Sequence, residues 1–208
     1  MKYIQTQHRL EEHFNQEYFE TINYVDYEKR QKKYDKTALE IVEYFDLQPF
    51  HHVMDYGCAT GMLMQSLREN DISVYGYDIS EYALNQASKK KLFVSNNKEV
   101  LEMKNYHLTL VLDVFEHMFD KEIVHVLGKL VTDLLVVRLP CKLEGESDFH
   151  LEVSRKDPSH VNCRTEREWR AFFKRNGYEF LDYITTKTIY NSDGCFCATF
   201  KKKEEWTA

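Results

Sequence analysis

At 208 residues and 43% hydrophobic, the chain is long enough to bury one full core and too short for two comfortable ones. A formal net charge of −6 argues against a dedicated nucleic-acid binder, which carries a net basic surface to release counterions from phosphates. Five scattered cysteines without a C-x-x-C pair argue against a disulfide framework or a cysteine zinc site, and no uncharged stretch is long enough to span a bilayer.

The N-terminus MKYIQTQHRLEEHF has no apolar signal region, so a soluble cytoplasmic protein is expected. Residues 1–48 read as a helical cap. In DKTALEIVEYFDL, Ala38, Leu39, Val42 and Phe45 recur at helical spacing, and Pro49 lies just past the end. This helix delivers the chain to the short strand HHVMDYG. Residues 49–203 then form the main unit, expected to be one compact body with the cap. TGMLMQSLREN reads as a helix, ISVYGYD as a strand, and SEYALNQASKK as a helix with Ser80 as N-cap. KLFVS is a brief strand, and HLTLVLD is a continuous apolar run suited to burial on both faces. The helix DKEIVHVLGKLV precedes the strand LLVVRLP.

In the C-terminal third, TEREWRAFFKRNG pairs Thr165 as N-cap with Glu168 in a capping box, buries Trp169, Phe172 and Phe173, and stops at Gly177. YEFLDYITTKTIY, the short turn NSDG and CFCATFKKK read as a closing hairpin. The strand–helix alternation predicts an α/β fold: a doubly wound, mostly parallel seven-stranded sheet with helices on both faces. One antiparallel strand belongs to the C-terminal hairpin.

In open α/β sheets, ligands bind at the carboxyl ends of the strands near the switch point, which directs attention to MDYGCATG. A phosphate loop needs Lys after its last glycine, and none follows Gly61; a dinucleotide fingerprint needs G-x-G-x-x-G, whereas Gly57, Ala59 and Gly61 are spaced by two. The phosphate loop fails and the dinucleotide is disfavoured; the alternative is a cofactor with an adenosine and no phosphate. The small residues permit close backbone approach, and Asp78, at the end of the second strand, can accept two charge-assisted hydrogen bonds from a ribose diol.

These features resemble the class I S-adenosylmethionine-dependent methyltransferases, small-molecule type. MDYGCATG resembles the family's first motif, with Ala59 at its middle glycine, and YGYDIS its ribose-binding motif. LVLDVFEHM is similar to the fourth-strand motif, and DPSHVNCRTEREWRAFFKRNGYEFL to a late segment with a His-containing loop. The resemblance implies that Asp55 and Tyr56, with the backbone of Gly57, Cys58, Ala59 and Gly61, hold the methionine end of S-adenosyl-L-methionine. Asp78 takes the ribose, Ile79 flanks the adenine, and Leu112 and Asp113 line the floor near the sulfonium. Family members often place an acid after the third strand; Ser95, Asn96 and Asn97 stand there instead, and an Asn carbonyl can accept from the adenine amino group. Tyr24, Arg30 and Tyr34 are similar to a lid segment of sugar-modifying relatives.

Methyl transfer to a hydroxyl or ammonium also needs a proton acceptor, for which His117, His150 and His160 are the candidates. No cluster has metal-ligand spacing, so a metal-independent reaction is expected. The expected substrate is a small polar acceptor methylated at oxygen or nitrogen, for which the resemblance to sugar-modifying relatives implies a sugar or related metabolite, without nucleic acid or membrane as partner. RNA or protein methylation, or a non-catalytic cofactor-binding regulator, are the competing readings.

Overall fold

A computed structural model describes residues 10, 12–22 and 27–203. Its sheet has seven strands: β1 (His52–Tyr56), β2 (Ser73–Tyr77), β3 (Phe93–Ser95), β4 (Tyr106–Leu112), β5 (Thr132–Pro140), β6 (Tyr178–Tyr183) and β7 (Cys195–Lys202). They lie in the order β3-β2-β1-β4-β5-β7-β6, with β7 antiparallel to both of its neighbours. The helices are α1 (Gln31–Tyr44), α2 (Met62–Glu69), α3 (Glu81–Lys89), α4 (Asp120–Lys129), α5 (Glu152–Lys156) and α6 (Glu166–Arg175). The chain is therefore a doubly wound, mostly parallel α/β sheet.

The pleat sends alternate strand residues to opposite faces, and two core layers follow from it. On one face, Val53, Val74, Leu108, Leu110 and Val136 pack against Ala38 and Ile41 of α1 and Leu63 and Leu67 of α2. On the other, Met54, Val111, Val137 and Phe200 pack against Ile123 and Leu127 of α4 and Trp169 and Phe173 of α6. The strand β4 contributes to both layers, as its unbroken apolar run predicts. The Thr165–Glu168 capping box forms as read, with Thr165 Oγ1 accepting from Glu168 N and Glu168 Oε2 accepting from Thr165 N. Ser80 likewise caps α3 by accepting from Ala83 N.

Two expectations change. Leu39 is 48% exposed, because the buried stripe of α1 runs through Ala38 and Ile41 instead. The connection between β6 and β7 is also no tight turn. Pairing stops at Tyr183, and residues 184–194 form a loop pinned by isolated bridges between Thr185 and Tyr190 and between Ser192 and Cys195.

Helix ends also depart from habit. With only seven glycines in the chain, α1, α2 and α3 place Asp46, Asp71 and Lys91 in the left-handed conformation one residue past the C-cap. The next residue closes the last turn: Leu47 N donates to Val42 O, and Ile72 N to Leu67 O. The stops after α2 and α3 release the chain directly into β2 and β3, whereas a further turn at residues 48–51 precedes β1.

Candidate cofactor site

At the carboxyl end of β1 the chain turns abruptly, and its geometry explains the small residues. Gly57 N and Cys58 N both donate to Tyr77 O, at 2.7 and 3.0 Å, which ties the turn to the end of β2. Gly57 has φ +85°, and a Cβ there would meet Val114 Cγ2 at 2.3 Å. Gly61 has φ +77°, with Leu92 Cδ1 at 2.4 Å from the same construction. Ala59 takes φ 47° although it carries a Cβ. Its amide explains how that conformation is held, because Ala59 N donates to Asp78 Oδ2 at 2.8 Å. The other oxygen, Asp78 Oδ1, accepts from Ser80 N at 2.8 Å.

Asp78 thus pins the turn as well as facing the site. Burial raises its carboxyl pKa, while the backbone amides that it accepts from oppose the rise. Asp55, buried one residue before the end of β1, is pushed up to about 7 by desolvation and by the neighbouring Asp78. Two acids are therefore held close together in a nearly dry place, an arrangement that favours an incoming cation.

Two concavities meet over this turn and share Gly57, Ala59 and Asp113. One is floored by Tyr77, Asp78 and Ile79, flanked by Lys98, and walled by Phe14, Tyr18, Phe19 and Met118. The other is lined by Lys33, Tyr34, Asp55, Leu112 and Arg138. Between them, Asp113 adopts φ 58° and pairs with Arg138, whose Nη1 lies 2.7 Å from Asp113 Oδ2. Strained positions such as Ala59 and Asp113 gather at functional sites when surrounding bonds hold them there. An elongated ligand with an acidic-seeking ammonium at one end and a diol at the other fits this shape.

Beside the first concavity stands a histidine pair. His117, in the short 3-10 turn after β4 (Phe115–His117), lines the cavity wall, and its ring lies 4.6 Å from that of His160. His117 is driven down to about 3, first by burial and then by His160. His160 is also lowered, first by burial, with Asp157 opposing the shift. Glu116 is 1% exposed, and burial raises its carboxyl pKa well above the ordinary value.

The sequence candidates therefore separate. Asp55, Tyr56, Gly57, Cys58, Ala59, Asp78, Ile79, Leu112, Asp113 and Tyr34 line the paired concavities, and His117 joins them. Asn96 sits in a shallow groove beside Ile79 and Tyr82. Asn97 is turned away to cap the next 3-10 turn, accepting from Glu99 N, and Ser95 Oγ accepts from Asn97 N. Arg30 is exposed at the start of α1, and Tyr24 lies outside the described residues. His150 lines neither concavity and pairs instead with Glu146, Nδ1 to Oε1 3.0 Å.

Several lining residues escaped sequence reasoning. Lys98, next in the chain after the two asparagines, lines the first concavity. Arg138 was legible in principle, since a guanidinium inside the apolar run LLVVRLP needs a partner. Phe14 and Tyr18, four residues apart, carry helical spacing but no local sign of where they pack.

A family model described as a methyltransferase domain matches residues 26–183. No curated protein sequence matches the chain. Among solved structures, the magnesium protoporphyrin IX methyltransferase of Synechocystis PCC 6803 with bound S-adenosylmethionine aligns with a TM-score of 0.64 at 18% identity, covering 98% of this chain and 100% of that one. A methyltransferase from Archaeoglobus fulgidus dependent on the same cofactor aligns at 0.60 and 16%, covering 86% and 100%. Human N-acetylserotonin methyltransferase in complex with that cofactor aligns at 0.60 and 15%, covering 84% of this chain and 54% of that one. At these identities the likeness is one of fold.

Proposed function

Because the chain belongs to the methyltransferase-domain family, we propose that it transfers the methyl group of S-adenosylmethionine to an oxygen or nitrogen of a small acceptor. The observation that carries this reading is the pair of concavities joined over Gly57 and Ala59, with Asp78 at one end and Asp55 at the other. In this reading Asp78 receives the ribose hydroxyls on its remaining lone pairs, Ile79 supports the adenine, and Lys98 stands at its edge. Asp55 attracts the methionine ammonium, and Arg138 and Lys33 offer positive charge to the carboxylate. The sulfonium then lies near Asp113, between the two halves.

Displacement at a sulfonium methyl is in-line: the acceptor atom attacks the carbon opposite sulfur, and the C–S electron pair leaves with S-adenosylhomocysteine. Positioning supplies most of the acceleration. The walls Phe14, Tyr18 and Met118 suit an acceptor with one flat apolar face, its reactive hydroxyl or amine directed toward His117. His117, rather than His150, is the histidine this reading places beside the reacting atoms, with His160 packed against it outside the concavity.

The test is calorimetry with S-adenosylmethionine on the wild type and on Asp78→Asn. The substitution removes the charge that faces the diol and, because an amide has one acceptor oxygen, gives up one of the two bonds from Ala59 N and Ser80 N, so affinity should fall at least 10- to 100-fold at roughly 1.5–3 kcal/mol for bonds to a charged group. Undiminished affinity in the variant overturns the ribose assignment. Binding by the wild type without methylation of any hydroxyl or amine acceptor in a broad screen removes the enzymatic reading and favours a regulatory one.

A further inference from the structure

Glu116, His117 and His160 each offer one ligand atom, and the three atoms lie within 4.8 Å of one another. Residues 116 and 160 come from different connections, after β4 and after β5, so their meeting is a tertiary event. Two backbone bonds fix it: Val161 N and Asn162 N both donate to Glu116 O, at 2.8 and 3.0 Å. Asn162 Nδ2 adds a third tie to Met118 O at 3.0 Å.

The hydrogen bonds around the two rings decide which nitrogens are left over. His160 Nδ1 lies 2.9 Å from Ser154 O, and a carbonyl only accepts, so that nitrogen carries the proton. Ser159 Oγ donates its single proton to Asp157 Oδ1 and lies 2.8 Å from His117 Nδ1, so the imidazole N–H donates to the hydroxyl oxygen. In each ring the nitrogen left outside these hydrogen bonds is then Nε2, and that of His160 also lies 3.8 Å from Asp157 Oδ2. A ring N–H given to a carbonyl or, through a hydroxyl, to a carboxylate is the support that metal-ligating histidines commonly have. The third group points the same way: Glu116 Oε2 is buried and has no hydrogen-bond partner. A buried carboxylate oxygen left unsatisfied is costly, and a cation would satisfy it.

We propose that Glu116, His117 and His160 form a binding site for one divalent first-row transition cation of the zinc type. Two imidazoles and one carboxylate are a donor set that such ions accept, with coordination positions left open. Bond lengths near 2.1 Å place ligand atoms roughly 3.4 Å apart in a tetrahedral site, so the separations close by about 1.4 Å at most on loading. The site adjoins the concavity through His117. Building on the methyltransferase reading, an acceptor hydroxyl bound to the cation loses its proton to solvent, its oxygen attacks the methyl carbon, and the C–S bond breaks toward sulfur. This role runs against the metal-independent reaction expected from the sequence.

The experiment uses the full chain, stripped with chelator and dialysed. Zn²⁺ titration by calorimetry should show one site, and Co²⁺ should develop the visible absorption of a histidine-ligated ion. His160→Ala and Glu116→Gln should each lower Zn²⁺ affinity at least 100-fold, and Ser159→Ala, which removes the hydroxyl linking His117 to Asp157, about 10- to 100-fold. His150→Ala, outside the cluster, should bind as wild type. Circular dichroism and S-adenosylmethionine calorimetry on each variant establish that it is folded. A folded wild type that takes up no Zn²⁺, or takes it up equally in folded His160→Ala, overturns the site. Cofactor binding without metal binding refutes this proposal and leaves the methyltransferase reading standing; metal binding without cofactor binding does the reverse.

Discussion

Replacing Asp55 with Asn should stabilise the protein, and the gain should grow with pH. Asp55 is 5% exposed, and its carboxyl pKa lies at about 7 against an ordinary 3.8. A folded pKa above the unfolded one means that the fold disfavours the charged form. The penalty is absent below the unfolded value, accumulates as pH rises between the two, and is constant above the folded value. At 1.36 kcal/mol per pKa unit, it amounts to roughly 2 kcal/mol at pH 5 and about 4 kcal/mol at pH 8. Any hydrogen bond that the amide makes or misses is independent of pH, so the diagnostic quantity is the change, about 2–3 kcal/mol between pH 5 and pH 8. Urea unfolding of wild type and variant at both pH values measures it. A gap that stays constant across this range refutes the assignment of the raised pKa to Asp55. If Asp55 also meets the methionine ammonium, the same variant should bind S-adenosylmethionine less tightly, so that stability and affinity move in opposite directions.

Gly57→Ala should destabilise the chain by about 2–4 kcal/mol, since it combines a left-handed residue with overpacking against Val114, whose Cγ2 stands 2.3 Å from the new methyl position. Urea unfolding reads the loss, and cofactor affinity should fall with it; a variant as stable as wild type shows that the turn can relax. Thr165→Ala removes the hydroxyl that accepts from Glu168 N and should cost about 1 kcal/mol, seen as a lower urea midpoint with no change in cofactor affinity.

Much of the fold was legible because its signals are local. Ser80 and Thr165 carry their capping chemistry in their own side chains, and the apolar run of β4 reports burial on both faces without reference to its neighbours. The Gly57 and Gly61 positions were legible for the same reason: a chain that must turn at positive φ against Val114 and Leu92 tolerates little else. Leu39 misled because a helix of alternating charge and apolar residues admits two stripes, and only the packing partner selects one. The long loop between β6 and β7 was hidden by residues that suit a strand until the sheet edge ends at Tyr183.

The histidines mark the boundary most clearly. Sequence alone determined which residues carry imidazoles and set His160 in a loop before the helix that starts after Thr165. It could not show that His117 and His160 meet while His150 stays apart, because a side chain's partner across 40 residues leaves no periodic trace. The tertiary structure decided that, by stapling the loop at 160–162 to the Glu116 carbonyl and turning His150 toward Glu146. Backbone conformation and capping are written into neighbouring residues; a cluster drawn from two loops exists only once the sheet has set the strand ends side by side.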